Sequence, residues 1–236
     1  MMKPLQDRII LVTGASRGIG RAAAKALAAE GAHVIALART VGGLEELDDE
    51  IKTGGGGATL VPLDLRDAPA LDRLGASIFE RWGRLDGLFG NAGVLGALTP
   101  LTHLDPKVLQ EALDVNVIAN WRLIRSLDPL LRKSDAGRAL FVTTGAARKH
   151  TPFWGVYAAT KAALESLVLT YAAECEGTAV KVNLLSPGPL RTAMRAKAMP
   201  GEDPKSLPPP DAVAPLIVEL LSPASAKSGE IVDFRR

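Results

Sequence analysis

Cysteine occurs once in this chain of 236 residues, at Cys175. That excludes an intrachain disulfide and suits a reducing compartment. Long apolar runs are missing too: no uncharged stretch reaches the ~18 residues that a membrane-spanning helix needs, so no span is expected. Nor is there an excess of one charge. The 28 Lys and Arg against 26 Asp and Glu leave a formal net charge of +2, with both signs interspersed. This offers no footprint for nucleic acid or for an anionic membrane surface. The opening MMKPLQDR runs straight into a strand-like segment without the apolar core of a signal peptide. No internal repeat or linker-like shift divides the chain, and the biased stretches at 54–57 and 207–210 are too short to be tethers. A soluble, cytoplasmic protein with one domain over residues 1–236 is expected.

What is present is a regular alternation. Short apolar runs at 8–12 (RIILV), 33–37 (HVIAL), 59–63 (TLVPL), 85–89 (LDGLF), 139–143 (ALFVT) and 180–185 (VKVNLL) predict strands buried on both faces, as in parallel sheets. Between them, helical periodicity predicts helices near 18–30, 42–52, 68–82, 106–132, 156–176 and 211–221. The helix at 18–30 carries Ile19, Ala23 and Leu27 on one stripe and stops at Gly31, a C′ glycine. A last strand near 230–234 would pair at one edge. Right-handed βαβ units in this order give a Rossmann-like, doubly wound parallel α/β sheet with helices on both faces.

The first strand leads into Thr13-Gly14-Ala15-Ser16-Arg17-Gly18-Ile19-Gly20. Glycines between a strand and a helix let the backbone approach a pyrophosphate and aim the helix N-terminus at it. The spacing is G-x-x-x-G-x-G, and in this strand–turn–helix context it predicts a dinucleotide site formed by Gly14, Ser16, Arg17, Gly18, Ile19 and Gly20. The second strand ends in Leu37-Ala38-Arg39-Thr40, without the acid that would grip a ribose 2′-hydroxyl. Arg39, aided by Arg17, suits a 2′-phosphate instead, so NADP(H) is expected over NAD(H).

The stretch VYAATKAAL at 156–164 places Tyr157 and Lys161 four apart on an otherwise apolar helix. A free phenol, with a pKa of about 10, is a poor base at neutral pH. An ammonium one turn away stabilises the phenolate and should lower that pKa, and the i, i+4 spacing supplies the proximity. The pair suits proton transfer at a carbonyl or alcohol oxygen.

TGASRGIG at 13–20, Asp64-Leu65, NAG at 91–93, Asn116, YAATK at 157–161 and PGPLRT at 187–192 together resemble the short-chain dehydrogenase/reductase family of the classical type, over essentially the whole chain. The resemblance implies reversible hydride transfer between NAD(P) and a small-molecule carbonyl or alcohol, in a homodimer or homotetramer. It implies that Lys161 also binds the nicotinamide ribose and that Asn116 holds a water in a proton relay. Asp64, with Leu65 beside it, would accept a hydrogen bond from the adenine amine. Asn91, Ala92 and Gly93 would lie against the adenosine ribose, and Pro187 and Gly188 would bend beneath the nicotinamide. Thr192 would contact its carboxamide or the phosphates, while Ser186 is structural. No residue is assigned to a metal.

Two departures stand out. The family's substrate-orienting serine, thirteen residues before the tyrosine, is Thr144 here. Threonine keeps the hydroxyl but adds a methyl and a stiffer χ1. The family's V-D-G-G-type tail is replaced by IVDFRR at 231–236, which leaves dimer and tetramer equally credible. Residues 193–210 have the composition of a mobile lid, Phe153 and Trp154 could wall a substrate pocket, and Arg195 and Lys197 could attract an anionic substrate or be solvated. His33, His103, His150 and Cys175 are given no role. Two rival readings stay open: a 3-oxoacyl-thioester reductase, whose carrier could dock on Arg148 and Lys149, and a catalytically idle cofactor-binding scaffold or redox sensor.

Overall fold

The computed structural model describes residues 3–234, so Met1 and Met2 of the opening stretch and Arg235 and Arg236 of the tail lie outside the described residues. The strands are β1 (Ile9–Thr13), β2 (His33–Ala38), β3 (Gly57–Pro62), β4 (Gly87–Gly90), β5 (Arg138–Val142), β6 (Lys181–Ser186) and β7 (Ile231–Asp233). They form one seven-stranded sheet in the order β3-β2-β1-β4-β5-β6-β7. Every pairing is parallel, with Ile9 opposite His33 and Ile10 opposite Gly87 at the centre. The predicted strand at 230–234 is the edge strand β7. The strands follow one another along the chain as read from the sequence, with ends moved by at most two residues.

The helices are α1 (Gly18–Ala29), α2 (Val41–Thr53), α3 (Ala68–Trp82), α4 (Pro106–Leu113), α5 (Ala119–Leu131), α6 (Ala146–Lys149), α7 (Gly155–Glu174), α8 (Ala193–Ala198) and α9 (Ala214–Leu221). Local chemistry sets their ends. Asp67 caps α3 by accepting from the Ala70 N–H at 3.0 Å, and Gly83 stops it in the left-handed conformation (φ 73°), as N-cap and C-terminal glycine signals require. Gly31 (φ 97°) follows α1 as the expected C′ glycine.

The sheet separates two apolar layers. Ile9 and Leu11 of β1 face one, with Leu71, Leu74, Leu123, Leu127, Leu164 and Val168 from α3, α5 and α7. Ile10 and Val12 face the other, with Leu27, Leu44, Leu47, Ile217 and Leu220 from α1, α2 and α9. Alternate residues of one strand thus bury against opposite layers, which explains why the strand sequences are apolar without a break.

One segment differs from the sequence reading. The helix expected over 106–132 is broken by a π-turn at Asp114–Ile118, where the Ala119 N–H reaches back to the Asp114 carbonyl. The cause lies in Asn116, whose side chain is bonded to the main chain of Val94 and holds the widened turn in place. The expected lid at 193–210 carries a built structure: α8, a 3-10 turn at Pro204–Ser206 and a two-pronged ion pair from Arg195 to Glu202, both contacts at 2.6 Å.

Candidate active site

The strand order reverses between β1 and β4, and a doubly wound sheet opens its crevice beyond the C-terminal strand ends at such a point. Thr13, the last residue of β1, staples the two sides together. Its hydroxyl oxygen accepts from the N–H groups of Asn91 and Ala92, both at 3.0 Å, and the Asn91 amide donates to the Thr13 carbonyl at 2.9 Å. Gly14 and Gly18 take positive φ, 66° and 57°. A Cβ on Gly20 would sit 2.2 Å from the Gly14 carbonyl oxygen, so no side chain fits there. The start of α1, N-capped by Arg17, has no side-chain cap. Its first N–H groups are therefore available to an anion, which is the fit a pyrophosphate requires. Ser16 packs its Cβ against Gly43, and Ile19 packs onto the core beneath the turn.

The segment after β6 comes over this turn. The Thr192 methyl lies 3.7 Å from where a Cβ of Gly18 would stand, while the Thr192 hydroxyl caps α8. Pro187 is buried; Gly188 is exposed with φ 67°. Ser186 is buried and its carbonyl accepts from Phe234, a structural role. At the end of β2, Arg39 is half exposed, with its guanidinium 3.9 Å from Asp64. Asp64 is held chiefly by Arg66, through contacts of 2.7 to 3.2 Å and the Arg66 N–H. The Arg66 guanidinium keeps that carboxyl below the usual range. Leu65 beside it is buried.

Beyond β4 the chemistry passes to side chains. A Cβ on Gly93 would stand 3.1 Å from Asn116 Oδ1 and 3.4 Å from Lys161 Nζ, so the NAG segment, the π-turn and α7 meet at one point. The Asn116 amide accepts from the Val94 N–H (2.8 Å) and donates to the Val94 carbonyl (2.9 Å) and to Thr160 Oγ1 (3.0 Å). Its main-chain carbonyl accepts from the Asn120 amide. Lys161, 2% exposed, donates to the Val142 carbonyl at 2.8 Å. Burial lowers its pKa to about 8, against the opposing pull of Glu165.

Tyr157 shares the α7 stripe and stacks at a tilt on Trp154, with ring centroids 6.1 Å apart. Burial pushes its phenol up to about 12. This corrects the expectation that the Tyr157 pKa is lowered: desolvation raises it, and the Lys161 hydrogen bond goes to Val142. The two threonines before α6 separate cleanly. Thr143 is buried and donates to Glu165 at 2.7 Å, whereas Thr144 is partly exposed and its oxygen accepts from the Ala146 N–H at 3.2 Å.

Not every candidate joins the cleft. Arg195, which could attract an anion or be solvated, is paired with Glu202. Arg148 turns to Glu165 at 3.7 Å. Phe153 is 57% exposed with φ 72°. The sequence reading missed Thr160, Arg66 and Glu165. Thr160 and Glu165 were visible as polar residues on the apolar helix, three and eight positions after Tyr157. Arg66 left no such signal.

The parallel sheet, its switch-point crevice and the glycine turn define a dinucleotide-binding oxidoreductase fold. The chain matches the short chain dehydrogenase family over residues 8–203 and belongs to that family. It is 41% identical over 227 residues to the uncharacterized oxidoreductase YciK of Escherichia coli K12, covering 94% of this chain and 89% of the relative. A short chain dehydrogenase structure from Pseudomonas syringae superposes with a TM-score of 0.95 at 40% identity, covering 99% of this chain and 96% of the other. One from Escherichia coli CFT073, complexed with NADPH, superposes with a TM-score of 0.94 at 39% identity and covers both chains fully. Among the described residues, no helix is long and apolar enough to cross a membrane.

Proposed function

We propose that the chain is an NADP(H)-preferring reductase or dehydrogenase that moves a hydride between its cofactor and a carbonyl or secondary alcohol, with Tyr157 as acid and base. The observation that carries this reading is the meeting of Gly93, Asn116 and Lys161 at the foot of the crevice, on the helix that also bears Tyr157. A backbone cradle for a dinucleotide opens onto a buried ammonium with a phenol one turn away. The absence of an acid after β2, the half-exposed Arg39 and Arg17, and the NADPH bound by a relative support the 2′-phosphorylated cofactor.

Bound there, the nicotinamide supplies or accepts the hydride. In reduction Tyr157 gives its phenolic proton to the developing alkoxide. The raised pKa keeps the phenol protonated at neutral pH, the form this step needs. Lys161, as an ammonium, stabilises the phenolate left behind and binds the ribose. Thr144 orients the substrate oxygen: with its own oxygen accepting from Ala146, its proton is directed elsewhere. Both Asn116 amide hydrogens are donated and its Oδ1 accepts from Val94, so the side chain anchors the turn; we assign the relay water to its main-chain carbonyl, which accepts from the Asn120 amide and keeps a second lone pair. The small residues Ala159, Ala162, Ser166 and Thr170, exposed on the outer side of α7, support a homodimer or homotetramer, and the lone cysteine supports a cytoplasmic setting. Pairing of Arg148 with Glu165 weakens the carrier-docking argument for a 3-oxoacyl-thioester reductase.

The test is NADPH and NADH consumption against ketones, aldehydes, quinones and acetoacetyl thioesters, run beside Tyr157→Phe. Turnover should prefer NADPH and fall in the mutant by about 10²- to 10⁴-fold, with cofactor binding retained. Tight cofactor binding without turnover of any carbonyl would sink the reductase and favour the scaffold or sensor, with Thr144→Ser the next variant.

A further inference from the structure

We propose that Glu165 is a positioning residue for the proton-transfer pair: anchored by Thr143 and Arg148, its carboxylate is the buried counter-charge that holds Lys161 as an ammonium beside Tyr157. The inference rests on the reading of Tyr157 and Lys161 given above. Tyr157, Lys161 and Glu165 stand at i, i+4 and i+8 on α7, one above the next on a single stripe. That stripe faces the sheet, where Lys161 is 2% and Glu165 8% exposed. A buried ammonium without a nearby anion loses its proton. Among the described residues no carboxylate lies within ion-pairing distance of Lys161; its hydrogen bond goes to a neutral acceptor, the Val142 carbonyl.

The next residue of the same strand end takes the next turn of the helix. Thr143 Oγ1 donates to Glu165 Oε1 at 2.7 Å, and Arg148 Nε stands 3.7 Å from that oxygen. Consecutive residues of one strand end therefore pin ammonium and carboxylate one helical turn apart. The carboxylate acts through the low-dielectric interior rather than by contact. Other charged groups come from every element packed on α7. On α5, Asp128 accepts from the Tyr171 hydroxyl at 2.8 Å and pairs with Arg132 at 2.8 Å. On α6, Arg148 faces Glu165 and Lys149 is exposed. On α4 and the π-turn, Lys107 is exposed, Glu111 pairs with Arg66 at 3.6 Å, and Asp114 accepts from Gln110 at 2.8 Å. On β6, Lys181 lies at the far, N-terminal end of the strand. Glu165 is the carboxylate that remains for Lys161, and its charge opposes the loss of that proton.

The test is Glu165→Gln, which keeps shape and the acceptor for Thr143 but removes the charge, with Glu165→Asp as the charge-retaining control. Without cofactor, urea midpoints are measured from pH 6.5 to 9.5. Lys161 titrates near 8 when folded and far higher when unfolded. Glu165→Gln should therefore be less stable where Lys161 is charged, and the gap should close above pH 9, where it is neutral in both folded proteins. With cofactor, the basic limb of the kcat/KM profile should move down by about one pH unit, and Glu165→Asp should restore it. A stability loss equal at every pH, or a basic limb that stays in place, overturns the proposal. If Glu165→Gln does not fold, Thr143→Val, which frees the carboxylate from its anchor, must move the same limb in the same direction, and an unmoved limb overturns it equally. Tyr157→Phe separates this from the parent reading: full activity in that variant sinks the acid/base assignment, whereas an unmoved limb with Tyr157→Phe inactive sinks only the role of Glu165.

Discussion

Helices α1 and α7 both end their work at the same crevice, yet they are built on opposite plans. The buried residues of α1 are Gly20, Ala22, Ala23, Ala24, Leu27 and Ala28, all small or apolar, and what the helix offers is the bare end of its backbone. The sheet-facing side of α7 buries Thr160, Lys161 and Glu165, while alanines at 159 and 162 face outward. One helix contributes main chain and needs empty space. The other contributes side chains and needs burial, partners and charge balance. A main-chain site is damaged by adding atoms, a side-chain site by removing them.

The largest expected effect tests the first plan. Gly20→Ala places a Cβ 2.2 Å from a carbonyl oxygen that cannot withdraw without breaking the turn. It should cost about 3 kcal/mol or more and abolish cofactor binding, read by urea unfolding and by fluorescence titration with NADPH. Preserved stability and binding would mean that the turn is not the rigid main-chain device described here. Next comes the joint between the two plans. Asn116→Ala leaves the Val94 N–H and carbonyl and Thr160 without their partner. It should cost about 2–3 kcal/mol and lower kcat, whereas an unchanged urea midpoint would show that the π-turn holds without its side chain. The smallest effect belongs to Arg39→Ala. Losing one charge-assisted contact from an exposed site should raise the KM for NADPH about tenfold and leave that for NADH unchanged. Equal changes for both would remove Arg39 from 2′-phosphate recognition.

The same contrast explains what could be read from the sequence. The glycine turn, the strand positions and the NAG segment were legible because steric demands leave a residue type behind: only glycine fits at Gly20, and only continuous apolar runs suit strands such as Ile9–Thr13, buried on both faces. Tyr157 and Lys161 were legible as an odd pair on an apolar helix. The sign of the Tyr157 shift was not, because spacing gives proximity while desolvation depends on everything packed around the phenol. The break at Asp114–Ile118 was hidden since Asp, Val, Asn and Ile carry no breaker signal; tertiary bonds to Val94 decide it. Arg195 looked available because its partner Glu202 lies seven residues on, across the end of a short helix.

The strand order has a consequence for how the chain is made. Reading β3-β2-β1-β4-β5-β6-β7 in order of synthesis, each strand as it emerges meets a partner already present: β2 and later β4 join β1, while β3, β5, β6 and β7 each join their predecessor. A ribosome delivering residues N-terminal first thus never has to hold a strand in waiting for one not yet translated. The crevice arises where growth switches from one side of β1 to the other, so the place that binds the cofactor is also the seam left by the direction of assembly.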